Sequence, residues 1–207
     1  MRDRDLVRLH WPTELRPAFD ALLAIDDALA EVVTSSTQPA LGAIRLAWWR
    51  EALERLDAKP PPPEPRLQGA ATELLPRGIS GAMLSRLEDG WATLLDEQSD
   101  TERIGKRGAR LFAIGARLLE ASDQRLDPAG RLYVYAQVIR MHQVLMPIAH
   151  EELQALAGYR FPRSLRPLTA FARLAARDLK RAPAVEPEAT PGRAAALLAH
   201  RLFGTVV

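Results

Sequence analysis

The chain is expected to fold as an all-α, single-domain bundle of about eight helices. Three observations carry that expectation. Apolar residues recur at a period near 3.6 over almost all of the 207 residues, alternating strand patterns are missing, and Pro or a Ser/Thr/Asp residue stands where helices would begin. The length suits one domain with a sizeable core, and a composition of 47% hydrophobic and 26% charged residues is that of a folded chain.

Pro17 fits the first turn of a helix running to about Val33, where its missing N–H costs nothing. On that helix Phe19, Leu22, Leu23, Leu29 and Val33 share a face, and Asp26 lies at its centre. Pro39 opens a second helix to about Leu56, on which Leu41, Ile44, Trp48, Ala52 and Leu56 share a face with Arg45 among them. Residues 60–65, Pro-Pro-Pro-Pro-Glu-Pro, form a stiff connector inside the domain. A short helix is expected from Leu67 to Leu75. Ser80 then caps a helix whose face reads Met83, Leu84, Leu87, Trp91, Leu94 and Leu95. Asp100 or Thr101 caps the next, through Leu119, with Gly108 and Gly115 seven apart on a face suited to close helix contact. Asp127-Pro128 opens a helix through about His150, and Phe161-Pro162 marks the turn before another to Lys180. After a loose segment at 182–188, Thr190-Pro191 starts a last helix that ends near Gly204.

Charge and composition narrow the functions. Residues 1–102 carry 11 basic and 18 acidic groups, residues 103–207 carry 17 and 8. The arginines are scattered at helical intervals without a basic run or interleaved aromatics, which argues against nucleic acid as a partner. Solvated faces or an anionic ligand or membrane surface remain as readings of the basic half. The absence of Cys excludes disulfides and thiolate metal sites. No apolar run reaches the ~20 residues of a transmembrane segment, and Met1-Arg-Asp-Arg-Asp5 is too charged to open a secretory signal. A cytoplasmic location is expected.

A charge aimed into a core is costly unless it is paired or serves a site. Asp26 and Arg45 are therefore expected to be mutual partners in a structural ion pair, with an anion-binding Arg45 as the other reading. Trp48 and Trp49 read as packing residues. Asp20, Asp27 and Glu31 form a second stripe on the first helix, about 100° from its apolar centre. Four carboxylates so close either hold Mg²⁺ and through it a diphosphate, or form a solvated acidic face around one buried Asp. His10, His142, His150 and His200 lack metal-type spacing, and neither a Gly-rich phosphate loop nor a nucleophile elbow is present.

Together these residues resemble the squalene/phytoene synthase family, the head-to-head isoprenyl transferases. The resemblance runs from Asp3-Arg-Asp-Leu6 through Arg16-Pro-Ala-Phe-Asp-Ala-Leu-Leu-Ala-Ile-Asp-Asp27. Its most specific part is Ile44-Arg-Leu-Ala-Trp-Trp-Arg-Glu-Ala-Leu53, similar to the RLxWWRxAL segment of a bacterial branch. Arg107-Gly-Ala-Arg-Leu-Phe112 and Arg163-Ser-Leu-Arg-Pro-Leu168 are weaker echoes. The resemblance implies one all-α domain around a central cavity, with Arg45, Trp48 and Trp49 as structural or cavity residues. It also implies two facing DxxxD motifs that hold Mg²⁺. Asp26 matches the first carboxylate of the first motif, but Ala30 stands where the second should be, and Glu31 is one position out. No aspartate occurs between Asp127 and Asp178, and the adjacent Glu151 and Glu152 do not share a helix face as a DxxxD pair does.

Diphosphate ionisation needs concentrated positive charge on the leaving group. The residues therefore fit a degenerate member without a resident cofactor, which binds an isoprenoid or apolar ligand or acts as a protein partner near the inner membrane. The same branch resembles a family member associated with respiratory complex I assembly. The alternative is an active prenyltransferase in which Asp26, Asp27 and Glu31, the remnant of the first motif, carry Mg²⁺. A third reading is a structural helical interaction protein with a filled core.

Overall fold

A computed structural model describes residues 2–139, 145–182 and 186–207. Its α-helices are α1 (Asp3–Arg8), α2 (Arg16–Ser35), α3 (Pro39–Arg55), α4 (Pro65–Glu73), α5 (Gly81–Ser85), α6 (Glu88–Ala92), α7 (Thr101–Leu118), α8 (Leu126–Val138), α9 (Met146–Ala155), α10 (Arg166–Arg181) and α11 (Pro191–Phe203). Among the described residues there is no strand, only an isolated antiparallel bridge between Arg160 and Thr205. The chain is all-α, as its periodicity predicts. Its contacts group into two compact units, residues 14–107 and residues 1–13 with 108–207, and the division falls within α7.

In the unit of residues 14–107, α2 packs against α3, α4 and α6, and α3 packs against α5 and α6. The buried side chains include Phe19, Leu22, Ile25 and Leu29 of α2, Leu46, Trp49 and Leu53 of α3, and Leu67 of α4. Pro39 and Pro65 each stand in the first turn of a helix, where no N–H is needed. The Glu64 carboxylate caps α4 by accepting from the Leu67 amide at 2.8 Å, so the proline-rich connector ends one residue earlier than its composition suggests. Ser80 caps α5 through the Met83 amide, and Asp100 accepts from the amides of Glu102 and Arg103 at the start of α7.

In the other unit α10 packs against α8 and α11, α8 against α9, and α1 against both α10 and α11. Gly108 of α7 and Gly130 of α8 cross backbone to backbone: a Cβ on either would collide with the carbonyl of the other. Gly115 meets the Leu168 side chain of α10. The close contact predicted from the Gly108/Gly115 spacing is therefore made. Thr190 caps α11 through the Arg193 amide. Gly204 ends that helix at φ +77°, a left-handed position where a side chain would also meet the Phe161 carbonyl.

Three expectations are corrected. The helix expected after Ser80 is broken into α5, α6 and a 3-10 turn at Thr93–Leu95. The Ser85 hydroxyl donates to the Ala82 carbonyl at 3.1 Å, competing with the helical hydrogen-bond ladder at the break. The helix expected from Asp127 to His150 is instead α8 and α9, with Pro147 in the first turn of α9, where its ring is tolerated. On α3 the buried residues are Gly42, Leu46, Trp49, Ala52 and Leu53, while Leu41, Ile44, Arg45 and Trp48 are exposed. Apolar residues lie all round this helix, and the packing partner chose the other stripe. The loose segment at 182–188 falls partly outside the described residues.

Candidate functional site

The buried charge on α2 organises the unit of residues 14–107. Asp26 is 4% exposed and Arg107 of α7 is fully buried. Arg107 Nη1 donates to both carboxylate oxygens of Asp26 at 3.0 Å. Trp91 Nε1 of α6 donates to Asp26 Oδ1 at 2.7 Å. The Arg107 guanidinium also lies over the Trp91 ring, with Cζ 3.7 Å from the centroid. Three side chains from three helices thus close on one another: a carboxylate receives two donors, and the cation is held between an anion and a π face. Gly90 makes the approach of α6 and α7 feasible, because a Cβ there would lie 2.5 Å from Arg107 Cβ.

This corrects the expected partner. Arg45 does not reach Asp26; it is exposed on α3 and its Nη1 donates to Ser35 Oγ at 3.3 Å. Charge in an apolar face was the right signal, but it also marks Arg107. Ile104, Arg107, Leu111, Ile114 and Leu118 are all buried at helical spacing on α7. The same test applied to α7 as to α2 marks Arg107 as a second buried charge, though not as the partner of Asp26. Trp91 was legible only as an apolar position, because an indole N–H gives no sign in sequence of what it will donate to.

The remaining candidates do not gather at Asp26. Asp27 is exposed, and Asp20 is half-buried. Glu31 is exposed and pairs with Arg66 of α4 at 2.6 Å. Trp49 is buried, whereas Trp48 is 46% exposed and meets Trp49 edge to face, with ring centroids 5.4 Å apart. Glu151 and Glu152 lie side by side on α9. Among the described residues, no group of three or more His, Asp or Glu is placed to hold a metal ion. His150 makes a local contact to the Met146 carbonyl, and His142 lies outside the described residues.

His200 of α11 is buried with both ring nitrogens engaged, Nδ1 at 2.8 Å from the Thr205 carbonyl and Nε2 at 2.9 Å from Thr169 Oγ1. A carbonyl only accepts, so in the neutral ring Nδ1 carries the hydrogen, while Nε2 faces the Thr169 hydroxyl, which also lies 3.1 Å from the Leu165 carbonyl. Burial holds this imidazole down at about 4, with the neighbouring cations Arg173 and Arg166 acting in the same direction against the Thr205 hydrogen bond. On α6, Glu88 is buried with the Arg50 guanidinium 3.9 Å away, and burial pushes its carboxyl above the usual range, against the pull of Arg50 and Arg103.

Two hollows open on the two units. One of about 350 Å³ is lined by Pro39, Ala40 and Ala43 of α3 together with Ala92, Leu95 and Arg103. The other, of about 890 Å³, follows α7 over Ala109, Ala113 and Ala116 between Arg110, Arg117 and Leu126. Asp26 lines neither. No family model matches the chain, and comparison with curated proteins and with solved structures yields no match.

Proposed function

We propose that this chain is a non-catalytic relative of the squalene/phytoene synthases, which binds an isoprenoid or other apolar ligand or a protein partner at the periphery of the inner membrane. The observation that carries the reading is the closed Asp26–Arg107–Trp91 cluster. The carboxylate that aligns with the first metal ligand of the family receives an arginine on both oxygens and an indole on one. Its oxygens are engaged by protein donors of the core. Glu31, the nearest substitute, is committed to Arg66.

Head-to-head condensation must ionise a diphosphate, and that chemistry draws on several divalent ions held by converging carboxylates. Ala30 and the missing second motif leave this chain without such a set. Among the described residues no helix is long and apolar enough to cross a membrane.

The test is an assay with farnesyl or geranylgeranyl diphosphate and Mg²⁺, read as diphosphate release and hydrocarbon product, beside binding of the unphosphorylated prenyl alcohol. Binding of the alcohol without turnover is the expected result. Efficient release of diphosphate with a thirty- or forty-carbon product, lost on changing Asp27 or Glu31, would establish the active-transferase alternative with a shifted Mg²⁺ site.

A further inference from the structure

In the unit of residues 1–13 and 108–207, the last helix separates its charges by end. Near its start, Arg193 is buried among three carboxylates. It donates through Nε to Asp3 of α1 at 2.8 Å, pairs with Asp178 of α10, and lies 3.7 Å from Glu186. Near its close lie cations. Arg166 donates to the carbonyls of Arg201 and Leu202, each at 2.9 Å, and Arg160 meets Thr205 across the backbone bridge. No acidic residue occurs in 153–177 or in 189–207, the two stretches that meet there, while the first of them holds five arginines.

Beside that cationic end lies an exposed apolar surface. Leu198 and Leu202, one turn apart on α11, Phe203 after them, and Leu9 at the end of α1 are each more than half exposed. Leu9 belongs to the same neighbourhood: α1 packs on α11, and the charge of Arg201 acts on His10, the residue after Leu9. Because Asp3 sits at Arg193 and His10 near Arg201, α1 runs alongside α11 from its acidic end to its cationic one.

We propose that the exposed face of Leu9, Leu198, Leu202 and Phe203, with Arg201 beside it and Arg166 and Arg160 at the same end of α11, docks on an anionic lipid bilayer. Aliphatic and Phe side chains gain by entering the boundary between headgroups and acyl chains, and guanidinium groups pair with lipid phosphates around them. Charge complementarity selects this occupant. A surface of negative charge over an apolar interior matches exposed apolar side chains flanked by arginines. This inference rests on the membrane-periphery part of the proposed function and assigns it a face and a lipid chemistry.

The test is sedimentation of the full chain with vesicles of phosphatidylcholine alone and of equal parts phosphatidylcholine and phosphatidylglycerol. The wild type is expected to bind the anionic vesicles, and less so as salt is raised. Leu198→Asp with Leu202→Asp should weaken that binding by at least about tenfold, and Arg201→Glu should weaken it as well. Leu41→Asp with Ile44→Asp, on the exposed apolar side of α3, should leave it unchanged. All of these positions are exposed, so circular dichroism melts should stay near wild type. Wild-type binding that survives the α11 changes, or that the α3 changes abolish, overturns this face while membrane association stands. No binding by the wild type overturns both. A dimer by light scattering that the α11 changes dissociate, without vesicle binding, would show the face to be a self-association surface instead.

Discussion

At Asp26 two donors converge on one carboxylate in a dry environment, so removing either charge leaves the other stranded. Asp26→Ala or Arg107→Ala should each cost about 3–5 kcal/mol in chemical denaturation, the usual price of breaking a buried pair. Trp91→Phe removes the indole donor and leaves part of the carboxylate unsatisfied, for about 1–3 kcal/mol. Asp20→Ala and Arg45→Ala lie outside the cluster and should each change stability by less than about 1 kcal/mol. Equal, small effects at Asp26 and Asp20 would show that the buried pair contributes nothing. The double change Asp26→Leu with Arg107→Met, which removes both charges together, should recover a good part of the single-site loss.

Helix contacts make their own demands on particular residues. Gly108→Ala should destabilise despite alanine's better helix propensity, because the added methyl meets the Gly130 carbonyl. Gly69→Ala, in α4 with open space around it, should stabilise by up to about 1 kcal/mol. Thermal melts of the two variants shifting in the same direction would contradict this. The glycine stripe and the caps at Ser80, Asp100 and Thr190 were legible in the sequence because their causes are local: an oxygen within three residues of an unpaired amide, or a missing side chain at helical spacing. The buried face of α3 was not legible. Its two apolar stripes are similar in content, and only the helices that pack against it decide between Leu41/Ile44/Trp48 and Leu46/Trp49/Leu53. Arg45 went out with the rejected stripe, and that one rotation removed it from the candidate site. Arg107 is the counterpart: its phase on α7 was readable, but its partner lies on another helix 81 residues away.

On the scale of the whole molecule, protonation couples to folding mainly through His200 and Glu186. The folded imidazole sits at about 4 against an ordinary 6.5, so the unfolded chain takes up a proton first as pH falls. Its contribution is full above about pH 6.5 and is lost on the way to pH 4, by about 3 kcal/mol at most. The hydrogen bond from Arg177 holds Glu186 at about 2, so its share is present above pH 4.5 and is lost as pH falls toward 2. Glu88 acts with the opposite sign, since its raised carboxyl favours the folded state on the acid side. Denaturation midpoints measured from pH 7 to pH 4 should decline, and His200→Gln should flatten the slope between pH 6.5 and pH 4. The bond from Arg193 to Asp3 has a different consequence, one of timing. The two residues are 190 apart, and ribosomes add ~5–20 residues per second, so Asp3 leaves the exit tunnel on the order of ten seconds or more before its partner exists. Residues 14–107 carry the Asp26 cluster complete, whereas the helix before them meets its packing partners only when α10 and α11 have emerged.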